Sequence, residues 1–379
     1  MLLGALVLFV VSLGYGVVVP VLPGLAERAG RTDAHQLSIV YAAYSASKIA
    51  AQIPGGVWVD RSGVRRVLGV GLAAYVLSML AFVWPLPPLA LAVVRAVEGA
   101  ATGLVYPAVF AHVLARGPSE AAGKRIGGAI GMGSAGLLVG PVVGVSLARF
   151  GAEVPIVVAA GAGALALIAV LARRGDDRPS RPRTLGAELR LLRATVATVA
   201  FVVLALPIAF NKLVFSSCQG LLPLVGREHL GLGDRGVMGL FVLTGVVFGV
   251  AQPVGGALVD RFAPRSVVLA SMPLLLGSLA ALALATRPAA FYLLFGVHVL
   301  GQSIIFVATM KEILARVGQK DSHGGVVGAL ATWTDLMTVV GPLLLLNVYA
   351  SLAMGTFAVA ALIGAIFALG YAAYRPASA

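Results

Sequence analysis

The chain contains 379 residues, of which 59% are hydrophobic and 11% are charged. Soluble globular domains carry about 45–50% apolar and about 25% charged residues, so this composition excludes a soluble protein and indicates an integral membrane protein. Cys218 is the only cysteine, which excludes an intrachain disulfide and a metal site built from several cysteines. We expect no metal and no cofactor.

Long apolar runs make up most of the chain. A helix that crosses a bilayer needs about 20 mostly apolar residues, and runs of this length lack the alternation of a membrane β-barrel. Each run ends at charged residues, proline or glycine. The sequence therefore predicts an all-α protein with twelve transmembrane helices, near residues 2–24, 37–59, 67–86, 89–114, 126–149, 154–172, 195–217, 237–259, 266–286, 291–310, 324–349 and 352–374.

The longest polar segment, residues 173–194, follows the sixth span and divides the chain into two six-helix halves, 1–172 and 195–379. With both termini in the cytoplasm, nineteen basic residues lie in inner loops and six in outer loops. Because inner loops are enriched in Lys and Arg, we predict cytoplasmic N and C termini. This asymmetry accounts for much of the net charge of +13, so no nucleic-acid partner is expected.

The two halves repeat one another. Residues 51–61 read AQIPGGVWVDR and residues 251–261 read AQPVGGALVDR, with seven of eleven positions identical. HVLARG at 112–117 is matched by EILARV at 312–317, with the same offset of two hundred positions. Like motifs in the same order indicate a parallel structural repeat, as found in secondary transporters.

Three motifs resemble those of the major facilitator superfamily, specifically its twelve-helix drug/proton antiporters. They are the loop after the second span, the fourth span with Arg95-x-x-Glu98-Gly99, and the glycine-rich fifth span, in that order. Three positions depart from the usual pattern. Val64 stands where a basic residue is more usual, Glu98 where glutamine is, and Val145 replaces a final glycine. The resemblance implies the major facilitator fold and transport by alternating access.

The loop after the second span and its counterpart after the eighth form a candidate cytoplasmic gate. An acid between two guanidinium groups can form a charge-assisted clasp, and the resemblance implies that such loops hold the cytoplasmic side shut. The alternative is that each loop only sets topology and joins two helices. The residues are Gly56, Asp60, Arg61, Gly63, Arg65, Arg66, Arg116, Gly256, Asp260, Arg261 and Arg316.

The fifth span carries small residues at spacings of three and four, which let two helices approach closely. Pro141 removes one helical hydrogen bond and bends the span. The resemblance implies that this span packs against the eighth and prevents a leak between the halves, which favours exchange. Plain helix packing is the alternative. The residues are Gly127, Gly136, Gly140, Pro141 and Gly144.

Ionisable residues inside the spans are candidates for transport chemistry, because their burial in a membrane is costly. Arg95 and Glu98 are three positions apart on one face of the fourth span and can pair. The pair is either an internal neutralisation or a proton site at which Glu98 carries the proton. Burial favours the protonated form of Glu98, whereas the neighbouring Arg95 favours its charged form.

A second candidate joins the two halves. Lys48 shares one polar face of the second span with Tyr41, Tyr44 and Gln52. Asp335 lies near the middle of the eleventh span, and the resemblance implies that these two spans meet. We predict a Lys48–Asp335 bridge that forms in one access state, with Asp335 taking the proton. The alternative is that each side chain snorkels or meets water separately.

His298 in the tenth span repeats the position of Glu98, which predicts that both lie near the axis of a cavity. A hydrogen-bonded packing role is the alternative for this histidine. The aromatic residues Tyr15, Phe241, Phe248, Phe306 and Trp333 are candidates for an apolar cavity wall, with packing in the core or against lipid as the alternative. The candidate proton and substrate cavity comprises Tyr15, Tyr41, Tyr44, Lys48, Gln52, Arg95, Glu98, Asn211, Lys212, His298, Gln302 and Asp335.

No nucleotide-binding loop, zinc-protease motif or serine-hydrolase set is recognisable, so no enzyme is predicted. We interpret the chain as a proton-driven exporter of small amphipathic or drug-like molecules, a monomer in the bilayer of a bacterial inner (plasma) membrane. One alternative is a transporter of an anionic or lipid-like solute, because Lys48, Arg95 and Lys212 outnumber the buried acids. Another is a membrane sensor or scaffold without flux.

Overall fold

A computed structural model describes residues 2–30, 33–114, 122–173, 186, 190, 198–317 and 323–374. Within helices, the side chains of 114, 122–127, 130, 314–317, 323–329 and 331 lie outside this description. The described part of the chain is helical throughout and contains no strand.

The described helices follow one another along the chain. They are α1 (Leu2–Glu27), α2 (Ala34–Ser62), α3 (Val64–Ala81), α4 (Pro88–Leu114), α5 (Ala122–Ala148), α6 (Val154–Ala172), α7 (Val199–Glu228), α8 (Asp234–Arg261), α9 (Pro264–Leu282), α10 (Pro288–Val317), α11 (His323–Leu352) and α12 (Thr356–Ala373). A single 3₁₀ turn, Ala353–Gly355, joins α11 to α12.

Ten segments of the described chain are long and apolar enough to cross a membrane. One of them, Thr332–Ala373, has 42 residues and includes most of α11 and all of α12. The more polar α2 is not among the ten. The chain is therefore an integral membrane protein, and a count of twelve spans with cytoplasmic termini stays a prediction.

The contacts divide the chain into two compact units, Met1–Glu188 and Leu189–Ala379. In the first unit α4 packs on α2 and α3, α5 packs on α1, and α6 packs on α3. In the second unit α10 packs on α8 and α9, α11 packs on α7, and α12 packs on α9. Each unit therefore pairs its helices in the same order, as the sequence repeat predicts.

Three helices end five or more residues from their predicted ends. α3 ends at Ala81 rather than near residue 86, because Pro85 and Pro87 cannot continue its hydrogen bonding. α7 extends to Glu228, eleven residues beyond the prediction. The polar residues at the predicted boundary, Ser217 and Gln219, are buried within the helix and do not form a loop. α10 extends to Val317 rather than 310, which brings Glu312 into the helix with 3% of its surface exposed.

Candidate functional site

A close approach of α4 to α2 brings the central residues of the first unit together. A Cβ atom on Gly103 would lie 2.5 Å from the carbonyl oxygen of Lys48, and one on Gly99 would overlap the carbonyl oxygen of Tyr44. Only glycine permits backbones to approach this closely. The tyrosine of α2 is thereby placed against Arg95, one turn earlier on α4.

Arg95 and Glu98 form a buried ion pair. The Nη1 atom of Arg95 donates a hydrogen bond of 2.6 Å to the Oε2 atom of Glu98, and the two side chains are 0% and 1% exposed. The guanidinium group lies 5.1 Å from the ring centroid of Tyr15 and 4.5 Å from that of Tyr44. The two aromatic faces add cation–π attraction to the pairing.

This pair leaves hydrogen-bonding capacity unused. The Nε and Nη2 atoms of Arg95 and the Oε1 atom of Glu98 are buried without a hydrogen-bond partner among the described residues. An unmet buried polar atom costs about 1–3 kcal/mol. The Oε1 atom of Glu98 can therefore accept a proton or a hydrogen bond, and the two nitrogen atoms of Arg95 can donate to a water molecule or to an acceptor of a ligand.

The residues on the polar face of α2 have different surroundings. The hydroxyl of Tyr41 donates to the carbonyl oxygen of Val19 over 2.9 Å, which fixes α2 to α1. The Nζ atom of Lys48 lies 5.2 Å from the ring centroid of Tyr106. Gln52 lines an open cavity of about 270 Å³ in the first unit. This cavity is also lined by Gly56 and Asp60 of the predicted gate.

In the second unit, Lys212 of α7 forms an ion pair with Asp335 of α11. The lysine side chain is 26% exposed and the aspartate side chain 8%. The sequence analysis selected both residues without pairing them. The predicted Lys48–Asp335 bridge joins the two units and stays a prediction.

A reciprocal pair of hydrogen bonds joins α7 to α10. The side chain of Asn211 donates to the carbonyl oxygen of Gln302 over 2.9 Å, and the side chain of Gln302 donates to the carbonyl oxygen of Asn211 over 3.0 Å. One turn earlier on α10, His298 is 1% exposed. It lines a small, partly open pocket of about 20 Å³, whose wall also includes Gln302 and Phe241.

The gate loop of the first unit is a tight turn. Gly63 has φ 85°, a conformation that favours glycine, and its N–H donates to the carbonyl oxygen of Val59 over 2.9 Å. Arg65 donates to the carbonyl oxygen of Leu171 at the end of α6. Arg61 and Arg66 are exposed. The predicted clasp partner Arg116 lies outside the described residues.

In the second gate loop, Asp260 accepts a hydrogen bond of 2.7 Å from the Nζ atom of Lys311, which also donates to the carbonyl oxygen of Val259. Lys311 is a partner that the sequence analysis did not name. Arg261 is exposed and Gly256 half-buried, with open space around the glycine. The side chain of Arg316 lies outside the described part of the chain.

The glycines of α5 face α1. A Cβ atom on Gly140 would lie 2.5 Å from the carbonyl oxygen of Leu13, and one on Gly144 would lie 2.7 Å from that of Val17. Gly136 meets the backbone of Phe9 in the same way, while Pro141 contacts Gly16 of α1. The surroundings of Gly127 are outside the described residues. Packing of α5 against α8 concerns both units and stays a prediction.

The sequence analysis missed a cluster at the end of α10. The hydroxyl of Tyr371 donates to the Oε2 atom of Glu312, and both residues are buried. Arg265 stacks over the ring of Tyr371 at 4.9 Å and donates to carbonyl oxygens at the end of α12. The signal was available, because Glu312 lies in the repeated segment 312–317, but the tenth span was predicted to end at 310.

Two of the predicted aromatic wall residues, Phe248 and Phe306, lie 6.3 Å apart between ring centroids. Trp333 is half-buried. Among the described residues, no three His, Cys, Asp or Glu side chains are grouped closely enough to hold a metal ion.

Comparison with known proteins identifies a family that this chain matches. The family model described as Major Facilitator Superfamily matches residues 4–342. The tetracycline resistance protein, class D, of Salmonella ordonez is 27% identical over 353 residues, which cover 88% of this chain and 85% of that protein. The quinolone resistance protein NorA of Staphylococcus aureus (strain Mu50) is 27% identical over 173 residues, 46% of this chain. That match spans only 44% of the length of NorA.

Solved structures show the same fold at low identity. A bacterial homolog of the human lysosomal transporter Spinster, in an inward-facing and unoccupied conformation, has a TM-score of 0.78 at 13% identity and covers 98% of this chain and 95% of that one. The human organic anion transporter MFSD10 (TETRAN) has a TM-score of 0.70 at 18% identity, with 97% and 98% covered.

Proposed function

The chain belongs to the Major Facilitator Superfamily, and from that membership we propose that it exports small amphipathic or drug-like molecules in exchange for protons. In this proposal twelve helices span a bacterial plasma membrane with both termini in the cytoplasm. Two relatives whose names record resistance to tetracycline and to quinolones support drug export as the class of activity.

The buried pair of Arg95 and Glu98 is the observation that carries the proposal. The buried carboxylate accepts one hydrogen bond of 2.6 Å from the guanidinium group, and this bond favours the charged form of Glu98 against the effect of burial. Its second oxygen is without a hydrogen-bond partner among the described residues and provides a place for a proton. Ionisable groups at membrane depth commonly mark proton pathways.

Protonation of Glu98 changes the charge balance of this site. With the carboxylate charged, the pair is neutral overall. With the proton bound, Arg95 keeps its charge between the rings of Tyr15 and Tyr44 and is free to bind a different acceptor. Protonation of Glu98 would thereby change the partner of the guanidinium group. Exchange of a substrate for a proton requires such a link between proton binding and substrate contacts.

Asp335 and Lys212 provide an alternative proton site of the same kind. Their ion pair is buried on the aspartate side and partly exposed on the lysine side. A proton on Asp335 would release the ammonium group of Lys212, as a proton on Glu98 would release Arg95. Each unit therefore offers an ion pair whose carboxylate could bind the transported proton.

The test is proton movement in vesicles that contain the purified full-length chain. A pH gradient is imposed, and cationic, neutral and anionic aromatic compounds are added one at a time to wild type, Glu98→Gln and Asp335→Asn. We expect at least one compound to dissipate the gradient in wild type, and one of the two variants to lose that response. The variant that loses it identifies the proton site.

Glu153→Gln is the matched control, because Glu153 forms an exposed ion pair with Arg28 at the start of α6. This variant should respond as wild type does. Compound flux without any proton movement would mean a facilitator or a different coupling ion and would reject antiport. Absence of both flux and proton movement would favour a sensor or scaffold.

The unused donors of Arg95 support transport of an anionic solute as a second candidate function. Two of its nitrogen atoms, Nε and Nη2, lack partners within the described residues, and a guanidinium group binds carboxylates in a bidentate manner. Gradient dissipation by anionic aromatic compounds alone would favour this candidate over export of cations.

A further inference from the structure

Basic side chains are grouped at one corner of the first unit, where the start of α3 meets the end of α6. Arg65 donates a hydrogen bond to the carbonyl oxygen of Leu171 in the last turn of α6. A Cβ atom on Gly69 would lie 3.3 Å from the side chain of the same leucine. Arg66 follows Arg65 on α3, and Arg173 follows the last residue of α6. Both of these arginines are exposed, and they lie at the same end of the helix pair.

The equivalent corner of the second unit carries less charge. With the offset of two hundred positions that relates the halves, Arg66 corresponds to Ser266 and Arg173 to Ala373. The second unit keeps Arg265, which is half-buried and donates to carbonyl oxygens at the end of α12. That arginine is thereby used inside the protein, and the two additional positive charges belong to the first unit.

The basic corner has an excess of positive charge. Neither Arg66 nor Arg173 forms an ion pair with a described residue. Asp60 is the only acidic residue in positions 56–81, and it lines the cavity between α2 and α4. The segment that follows α6 adds no net negative charge, because residues 173–194 contain seven arginines and three acidic residues. A negatively charged partner would therefore be attracted to this corner.

The surface beside the basic corner is apolar. Both α3 and α6 are long and apolar enough to cross a membrane. On α3, the exposed Val70 and Leu77 follow Arg66 at spacings of four and seven, which places them on one face of the helix. On α6, the exposed Leu165 lies eight positions before Arg173, on the same side of its helix. Each arginine is therefore at the end of an apolar stripe that faces acyl chains.

We propose that Arg66 and Arg173 bind the phosphate group of an anionic phospholipid, whose acyl chains lie along the exposed faces of α3 and α6. Guanidinium groups bind phosphate oxygens through paired, charge-assisted hydrogen bonds. Basic pockets between membrane helices commonly bind anionic headgroups. A free phosphate ion would gain the same hydrogen bonds but no contact with the apolar stripes. Binding of this lipid does not depend on the proposed export function.

The experiment measures lipid preference by tryptophan quenching in vesicles that contain the full-length chain, without substrate or pH gradient. Trp58, Trp84 and Trp333 are replaced by phenylalanine, and Val70→Trp places the reporter one turn after Arg66. Brominated phosphatidylglycerol is mixed with unbrominated phosphatidylcholine, and the reverse mixture is the reference. We expect a preference for phosphatidylglycerol of about fivefold or more, because each basic group near the membrane surface favours an anionic lipid by about this factor.

The arginines are tested by exchange for the residues of the second unit. Arg66→Ser with Arg173→Ala should reduce the preference to about twofold or less. The matched control is Arg149→Ala with Arg287→Ser, which removes two exposed positive charges elsewhere. Arg149 precedes the start of α6 and therefore lies at the opposite end of this helix from Arg173. The control should keep the preference of the parent protein.

The second unit provides the complementary test. Ala270→Trp places a reporter at the position equivalent to Val70, and this reporter should show a smaller preference for phosphatidylglycerol. Ser266→Arg with Ala373→Arg should increase that preference. With vesicles made only of brominated phosphatidylcholine, variants with the same reporter should be quenched equally, which shows that the chain is folded and the reporter still contacts lipid.

Four results would overturn the proposal. They are absence of a preference at Val70→Trp, a preference that Arg66→Ser with Arg173→Ala leaves unchanged, an equal loss in the control variant, and no gain from the two arginines added to the second unit. Loss of the preference on addition of inorganic phosphate, but not of sodium chloride at equal ionic strength, would assign the site to a free phosphate ion instead. A failure of proton exchange would leave lipid binding standing, and absence of lipid binding would leave proton exchange standing.

Discussion

A Cβ atom on Gly103 of α4 would lie 2.5 Å from the carbonyl oxygen of Lys48 on α2. We therefore expect Gly103→Ala to lower the thermal unfolding midpoint in detergent, since overpacking costs about 1–3 kcal/mol and exceeds the helix propensity that alanine gains. Gly161→Ala is the control, because the space around Gly161 in α6 is open. Equal midpoints for the two variants would contradict the close contact.

The buried ion pair predicts strong coupling between Arg95 and Glu98. Replacing one partner leaves the other as an uncompensated buried charge, which costs about 3–5 kcal/mol. Arg95→Met and Glu98→Leu should each destabilise the chain by this amount, and the double variant should recover most of the loss. Chemical unfolding of the four proteins gives the coupling energy. If the double variant loses as much free energy of unfolding as the two single variants together, Arg95 and Glu98 are not directly paired.

Lys212 and Asp335 should tolerate exchange of their positions. Asp335→Asn and Lys212→Met are each expected to impair compound transport in vesicles, because each removes one side of the ion pair. The double variant Lys212→Asp with Asp335→Lys keeps the pair with its ends reversed and should recover part of the transport. If the double variant folds but does not recover transport, the location of each charged group matters more than the ion pair between them.

Arg265 should stabilise the second unit more than Arg65 stabilises the first. Arg265 is half-buried and donates to the carbonyl oxygens of Tyr371, Ala372 and Tyr374 at 3.0, 3.1 and 2.6 Å. Arg65, which donates to the carbonyl oxygen of Leu171, is exposed. A cation at a helix C-terminus contributes about 0.3–1 kcal/mol, and up to about 2 kcal/mol when partly buried. Thermal unfolding should show a larger decrease for Arg265→Gln than for Arg65→Gln.

The ion pair of Asp260 and Lys311 should contribute little to stability. Its side chains are 75% and 45% exposed, and exposed pairs are worth about 0–1 kcal/mol. Asp260→Asn should therefore leave the unfolding midpoint nearly unchanged. If the loop is a gate, the same variant should alter the rate of compound transport, and 1 M salt should reproduce that change in wild type by screening the pair. An unchanged rate would favour the topological role.

Short-range patterns in the sequence predicted the pairing inside one helix. Arg95 and Glu98 are three positions apart, and that spacing alone places them on one face of α4. The repeat of two hundred positions related His298 to Glu98 in the same direct way. The fold class followed from composition and motif order, and the match to the family model confirms it.

Contacts between distant segments could not be predicted from residue spacing. Lys212 and Asp335 are 123 positions apart, and nothing in the spacing of either helix selects the other residue. The carbonyl oxygens that Arg65 and Arg265 contact belong to backbone, which carries no sequence signal. The cavity beside His298 is a volume left by the packing of three helices, and no residue pattern reports such a volume.

Backbone contact at Gly103 and at Gly140 also limits how the first unit can deform. Side chains that touch can rotate and allow helices to slide, but a carbonyl oxygen against a glycine Cα has no such freedom. At both contacts a Cβ atom at the glycine position would lie 2.5 Å from the facing carbonyl oxygen, so no residue other than glycine fits there. We therefore expect each of these two helix pairs to move as one rigid body, with rearrangements during a transport cycle at their outer faces.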